Sequence, residues 1–125
     1  MRIFEGGSSA NSMSINFVDD NDCYVGYCLE QQCCESAFYV INENWDGSDI
    51  DYDYNYAEAA YSDRELEAYR FDQEYFEGGN INSTFKLISE GKPDLYLHLI
   101  NIHNGYYSHR FIAKVGGEVI HKGYV

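Results

Sequence analysis

Asp49, Asp51 and Asp53 alternate with Ile50, Tyr52 and Tyr54 in the run 49–56, and carboxylates this closely spaced are the first candidates for chemistry. Two carboxylates can divide acid and base work, but only where a pocket histidine or a nucleophile singles two of them out. The run offers no such partner at a recognisable spacing. Read as a calcium loop, it has Tyr54 at the sixth position, where the turn needs glycine, and Ala60 at the twelfth, where a bidentate glutamate belongs. Cys23, Cys28, Cys33 and Cys34 contain no CxxC pair, so they read as reduced thiols and not as a zinc site. Among the histidines, His98 is in phase with Tyr96 and Ile100, which predicts a sheet residue with one wet nitrogen. His103 and His109 flank Asn104-Gly105 without a carboxylate beside them in sequence, and His121 falls on a different predicted strand. Gly78-Gly79 follows a predicted helix, whereas a phosphate cradle precedes one. The expectation is a chain that is not an enzyme and needs no metal or cofactor.

What remains is charge. Residues 43–77 hold twelve Asp and Glu against Arg64 and Arg70, a net of -10, while residues 1–42 carry -5 and residues 78–125 carry +2. Tyrosines 52, 54, 56, 61, 69 and 75 are threaded through the acidic segment. Disordered acidic tails are poor in aromatics, so this one is predicted to be folded. With a pI near 4.4 the protein repels nucleic acid and anionic membrane, and its long-range field draws basic partners. The N-terminal residues lack the apolar core of a signal peptide and no run is long enough to span a bilayer, which predicts a cytoplasmic protein.

At 125 residues the chain is expected to be one domain, 1–125. Strands are predicted over 2–5, 13–18, 23–29, the run 33–45, and then 83–89, 95–102, 106–115 and 118–125, separated by turn formers such as Asn104-Gly105 and Gly116-Gly117. Alternation over 49–56 places Asp49, Asp51, Asp53 and Asn55 on one face and Ile50, Tyr52, Tyr54 and Tyr56 on the other. Ser62 followed by Glu65 forms a capping-box signature, and steps of three and four residues predict one main α-helix over about 63–76, stopped by Gly78-Gly79. The expected class is α+β: a curled antiparallel β-sheet, a meander of hairpins, packed with that helix.

Two strings carry a resemblance. Gln31-Gln32-Cys33-Cys34-Glu35 and Asn104-Gly105-Tyr106-Tyr107-Ser108, with Trp45-Asp46 and the Ala57-Glu58 region between them, resemble an uncharacterised family of small bacteriophage proteins. Members carry a CCE string early and NGYYS in a late hairpin. The resemblance spans roughly 24–112, and Gln32 stands where the family pattern has Asp. It implies a phage or prophage origin, hence the cytoplasm of a bacterial host, and a β-rich fold with no assigned activity.

Alternate carboxylates on a strand recur every ~6.6 Å, comparable to the spacing of phosphates on a nucleic-acid strand. The expected function is therefore nucleic-acid mimicry: a phage protein that binds and inhibits a host defence complex of anti-CRISPR or anti-restriction type. The surface expected to meet the basic partner comprises Asp46, Asp49, Asp51, Asp53, Tyr52, Tyr54, Tyr56, Glu58, Asp63, Glu67, Glu74 and Glu77. A solvated acidic face that merely keeps the chain soluble is the blander alternative. A net of -10 in one segment exceeds the roughly 2 to 8 charges that solubility asks of a whole small domain. Two further readings are a sponge for a nucleotide signal, with Arg110 or Lys114 on the phosphate, and a minor structural protein. Homodimerisation stays open.

Overall fold

Short runs of alternating apolar and polar residues, punctuated by turn formers, make most of the described residues strand. The computed structural model describes residues 1–6, 14–28, 36–43, 58–59, 62–78, 82–102 and 110–124. In order these are β1 (Arg2–Gly6), β2 (Ser14–Val18), β3 (Cys23–Cys28), β4 (Ser36–Asn42), β5 (Glu58–Ala59), α1 (Asp63–Leu66), β6 (Arg70–Gly78), β7 (Asn82–Ile88), β8 (Leu95–Ile102), β9 (Arg110–Val115) and β10 (Glu118–Tyr124). One five-stranded sheet runs β1-β2-β3-β9-β10 and the other β5-β4-β8-β7-β6. Every pairing is antiparallel except that of β4 with β5.

The two sheets share one core. Ile15, Phe17, Val25, Tyr27, Phe111 and Ala113 of the first are buried with Tyr39, Ile41, Phe85, Leu87, Leu97 and Leu99 of the second, and Val115 packs half-buried against them. Phe17 meets Tyr39 edge to face across the gap, with centroids 5.1 Å apart, and Phe85 meets Phe111 at 6.0 Å. The Tyr27 hydroxyl crosses the core and donates to the carbonyl of Ile100 at 2.8 Å. This is a β-sandwich, two sheets packed face to face.

The α+β expectation is overturned. Among the described residues the only helix is the single turn Asp63–Leu66, and the span predicted as helix to residue 76 is mostly edge strand β6. The capping box is as read: Glu65 N donates to Ser62 Oγ at 3.2 Å, and Ser62 N reaches Glu65 Oε1 at 3.5 Å. The turn closes instead of propagating: Tyr69 N–H donates to the Leu66 carbonyl at 3.0 Å, a three-residue bond where α-helical continuation would use the N–H of Arg70. The α-ammonium of Met1 donates to the carbonyls of Leu66, Glu67 and Tyr69 at 2.6, 3.1 and 3.1 Å. Beyond Leu66 the buried positions are Tyr69 and Phe71, a two-residue step that belongs to a strand.

The meander is also corrected. β8 pairs with β4 and β7, while β9 pairs with β3 and β10, so the strands flanking Asn104-Gly105 lie in different sheets and form no hairpin. Each has one apolar face, Leu97 and Leu99 on β8 and Phe111 and Ala113 on β9, and the two faces close on the core from opposite sides. The hairpins at 19–22 and at Gly116-Gly117 form as expected. Both glycines of the latter have positive φ, 57° and 85°, which side-chain-bearing residues adopt only at a cost.

Candidate functional site

β6 positions the described part of the acidic surface. It pairs with β7 from Phe71↔Leu87 to Phe76↔Phe85, five steps along β6 against two along β7, so residues 72–75 bulge out of the ladder. Asp72 Oδ1 accepts the backbone N–H of Glu74 at 3.1 Å and closes the bulge as a local turn. Past the bulge, adjacent residues face opposite sides as in any strand. Phe76 turns inward against Phe85 and Phe111 and stacks on His121 at 4.5 Å, while Tyr75 turns to the outer side of the sheet.

There Tyr75 meets Tyr96 of β8 edge to face, with centroids 5.8 Å apart and planes at 64°. Lys86, cross-strand from Tyr96, holds its ammonium 5.8 Å from the Tyr75 ring centre and 3.4 Å from Asp94 Oδ2. The Tyr75 hydroxyl donates to Glu77 Oε2 at 3.2 Å. Burial, and then the Glu77 carboxylate, push the Tyr75 phenol above its ordinary pKa. Glu74 and Glu77 are exposed at the rim. The resulting patch has two tyrosine faces, one resident cation and a border of carboxylates.

Farther along the same face, His98 is fully buried. Its Nδ1 lies 2.9 Å from Thr84 Oγ1 and its Nε2 lies 3.1 Å from Asn42 Oδ1. A carboxamide oxygen only accepts, so Nε2 donates to Asn42 and the Thr84 hydroxyl donates to Nδ1. The expected wet nitrogen is corrected: both nitrogens are dry and tie β7, β8 and β4 together. Phe38 and Ile100 are buried nearby, so the second sheet is covered on both faces around β8.

Of the residues expected to meet a partner, Asp46, Asp49, Asp51, Asp53, Tyr52, Tyr54 and Tyr56 lie outside the described residues, as do His103, His109, Cys33 and Cys34. Glu58 is in β5, with its backbone paired beside Val40, and Asp63 opens α1. Glu67 is exposed at the end of α1, so it shares no helix face with Glu74 and Glu77, which β6 carries. Compared with known protein families, curated proteins and solved structures, the chain shows no match. Among the described residues, no group of three His, Cys, Asp or Glu is arranged to hold a metal ion. No helix there is long and apolar enough to cross a membrane.

Sequence reasoning missed Tyr96, Lys86 and Asp94 as companions of Tyr75. Lys86 and Tyr96 sit on adjacent predicted strands, and setting those strands in register would have paired them. Asp19, in the turn between β2 and β3, is buried and accepts three backbone N–H bonds, from Asn21, Cys23 and Phe71, each at 2.9 Å, a role no local pattern announces.

Proposed function

We propose that the chain is a non-enzymatic binding protein whose acidic, tyrosine-bearing surface engages a basic groove on a nucleic-acid-handling protein, in the place nucleic acid would take. The observation that carries this reading is the bulged edge of β6, where exposed Glu74 and Glu77 border Tyr75 and Tyr96. That edge lies within a segment of net charge -10. Carboxylates supply steering and rings supply contact area after encounter. The lysines nearby favour this over a phosphate-binding pocket, because Lys86 and Lys92 each lie 5.8 Å from a tyrosine ring, Tyr75 and Tyr69 respectively, and do not converge. The phage origin that the resemblance implies favours a bacterial defence complex as the partner, and filling its groove would inhibit it.

The test is capture of a partner from bacterial lysate at low salt, followed by competition with duplex DNA. Non-specific duplex should release the partner, and release should also follow salt as the Debye length shrinks from about 8 Å at physiological ionic strength to about 3 Å at 1 M. Glu67→Gln, Glu74→Gln and Glu77→Gln combined should capture less while melting as the wild type does. A partner held equally by that variant and indifferent to DNA would overturn the reading.

A further inference from the structure

We infer that the Tyr75–Tyr96 corner is a cation-recognition site built for a guanidinium group, so that the partner presents an arginine there; this rests on the basic partner proposed above. The molecule already places a cation at this position. Lys86 Nζ stands 5.8 Å from the Tyr75 ring centre and is held from the other side by Asp94 at 3.4 Å. Lysine is a compact, strongly hydrated point charge, whereas a guanidinium is planar and less hydrated and can stack on a ring while its N–H groups reach carboxylates. Tyr75 and Tyr96 are both half-buried, with planes inclined at 64°, so each keeps ring surface toward solvent. Glu77 already accepts from the Tyr75 hydroxyl, and Glu74 is exposed beside it. A guanidinium stacked on the Tyr75 ring, where Lys86 now stands, therefore has a carboxylate acceptor in Glu77 within the same patch. Because Lys86 remains paired with Asp94, its ammonium can withdraw from Tyr75 without losing its countercharge.

The experiment measures binding of two synthetic peptides, (Gly-Arg)6 and (Gly-Lys)6, to the full chain at low and high salt. Both carry the same charge, so any difference reports the cation's shape. The arginine peptide should bind several-fold tighter, because a guanidinium stacks flat on a ring and is less strongly hydrated than an ammonium. Tyr75→Leu should erase that preference while leaving the salt dependence of both peptides, and Tyr75→Phe should keep it, since the ring remains. Lys86→Met should strengthen arginine binding more than Lys92→Met, which removes the same charge beside a different tyrosine. Equal affinity of the two peptides for the wild type overturns the inference, as does an arginine preference that survives Tyr75→Leu in a folded protein. If neither peptide binds at low salt, the basic-partner reading falls and the inference falls with it.

Discussion

Asp19 Oδ2 accepts the backbone N–H of Phe71 at 2.9 Å, fastening the β2–β3 turn of one sheet to the edge strand of the other. Its second oxygen accepts from Asn21 and Cys23 in its own turn, so one buried carboxylate satisfies three main-chain donors. Asp19→Ala should lower stability by about 2–4 kcal/mol, since buried donors are left without acceptors. The exposed neighbour Asp20→Asn should stay within about 0.5 kcal/mol. Urea unfolding of both variants decides, and equal midpoints would show that Asp19 is not the clasp.

Alkaline stability should carry the mark of Cys23. Burial, and then the Asp19 carboxylate, push its thiol up to about 11 from an ordinary 9.0. As pH rises past 9.0 the unfolded chain gives up this proton while the folded chain keeps it. The raised pKa thus contributes stability that is full below 9.0 and is lost progressively as pH climbs toward about 11. Cys23→Ala should unfold with a flatter dependence in that window. The same alkaline slope in variant and wild type would assign the effect to other groups.

Leu97 is fully buried at the centre of the second sheet, between the inner faces of both sheets. Leu97→Ala should cost about 2–5 kcal/mol through lost burial and a residual cavity. An unchanged melting temperature would contradict the shared core.

The aspartates of 49–53 should act by steering. Replacing Asp49, Asp51 and Asp53 together with Asn keeps side-chain shape and removes three charges. Association with the captured partner should slow at low salt with little change in dissociation rate. Tyr54→Ala should instead speed dissociation, because an aromatic anchor acts after encounter. Wild-type kinetics in the triple variant would exclude this run from the interface.

Local chemistry was legible where it was decided locally. β8 occupies 95–102 as alternation predicted, the Gly116-Gly117 hairpin forms, and Ser62 and Glu65 cap one another. The length of α1 was not legible, because the backbone just beyond it bonds to groups distant in sequence: the Leu66, Glu67 and Tyr69 carbonyls accept from Met1, and the Phe71 N–H donates to Asp19. Nor does alternation say which sheet a strand joins, since β8 and β9 bury the same kind of face. For His98 the pattern identified its face, alongside Tyr96 and Ile100, but dryness depends on what packs over that face. The polarity of Glu67, Glu74 and Glu77 marked them as exposed, whereas the corner of Tyr75, Lys86 and Tyr96 needs three strands in register.

The interleaving of the two sheets has a consequence for synthesis. β3 finds its inner neighbour in β9, and β4 finds its neighbour in β8, so both sheets lack a central pairing until the last third of the chain has left the ribosome. Until then the faces carrying Phe17, Val25 and Ile41 can cover one another only in part, through contacts such as Phe17 on Tyr39, and the long-range pairing that completes them is slow to form and exposed to aggregation. Charge is ordered along the chain in the same sense: residues 1–42 carry -5 and residues 43–77 carry -10, all emerging before the basic C-terminal third. Nascent chains on neighbouring ribosomes should therefore repel one another while the central pairings are missing, and that repulsion should ease as Lys86, Lys92, Arg110, Lys114 and Lys122 arrive with the strands that complete the fold.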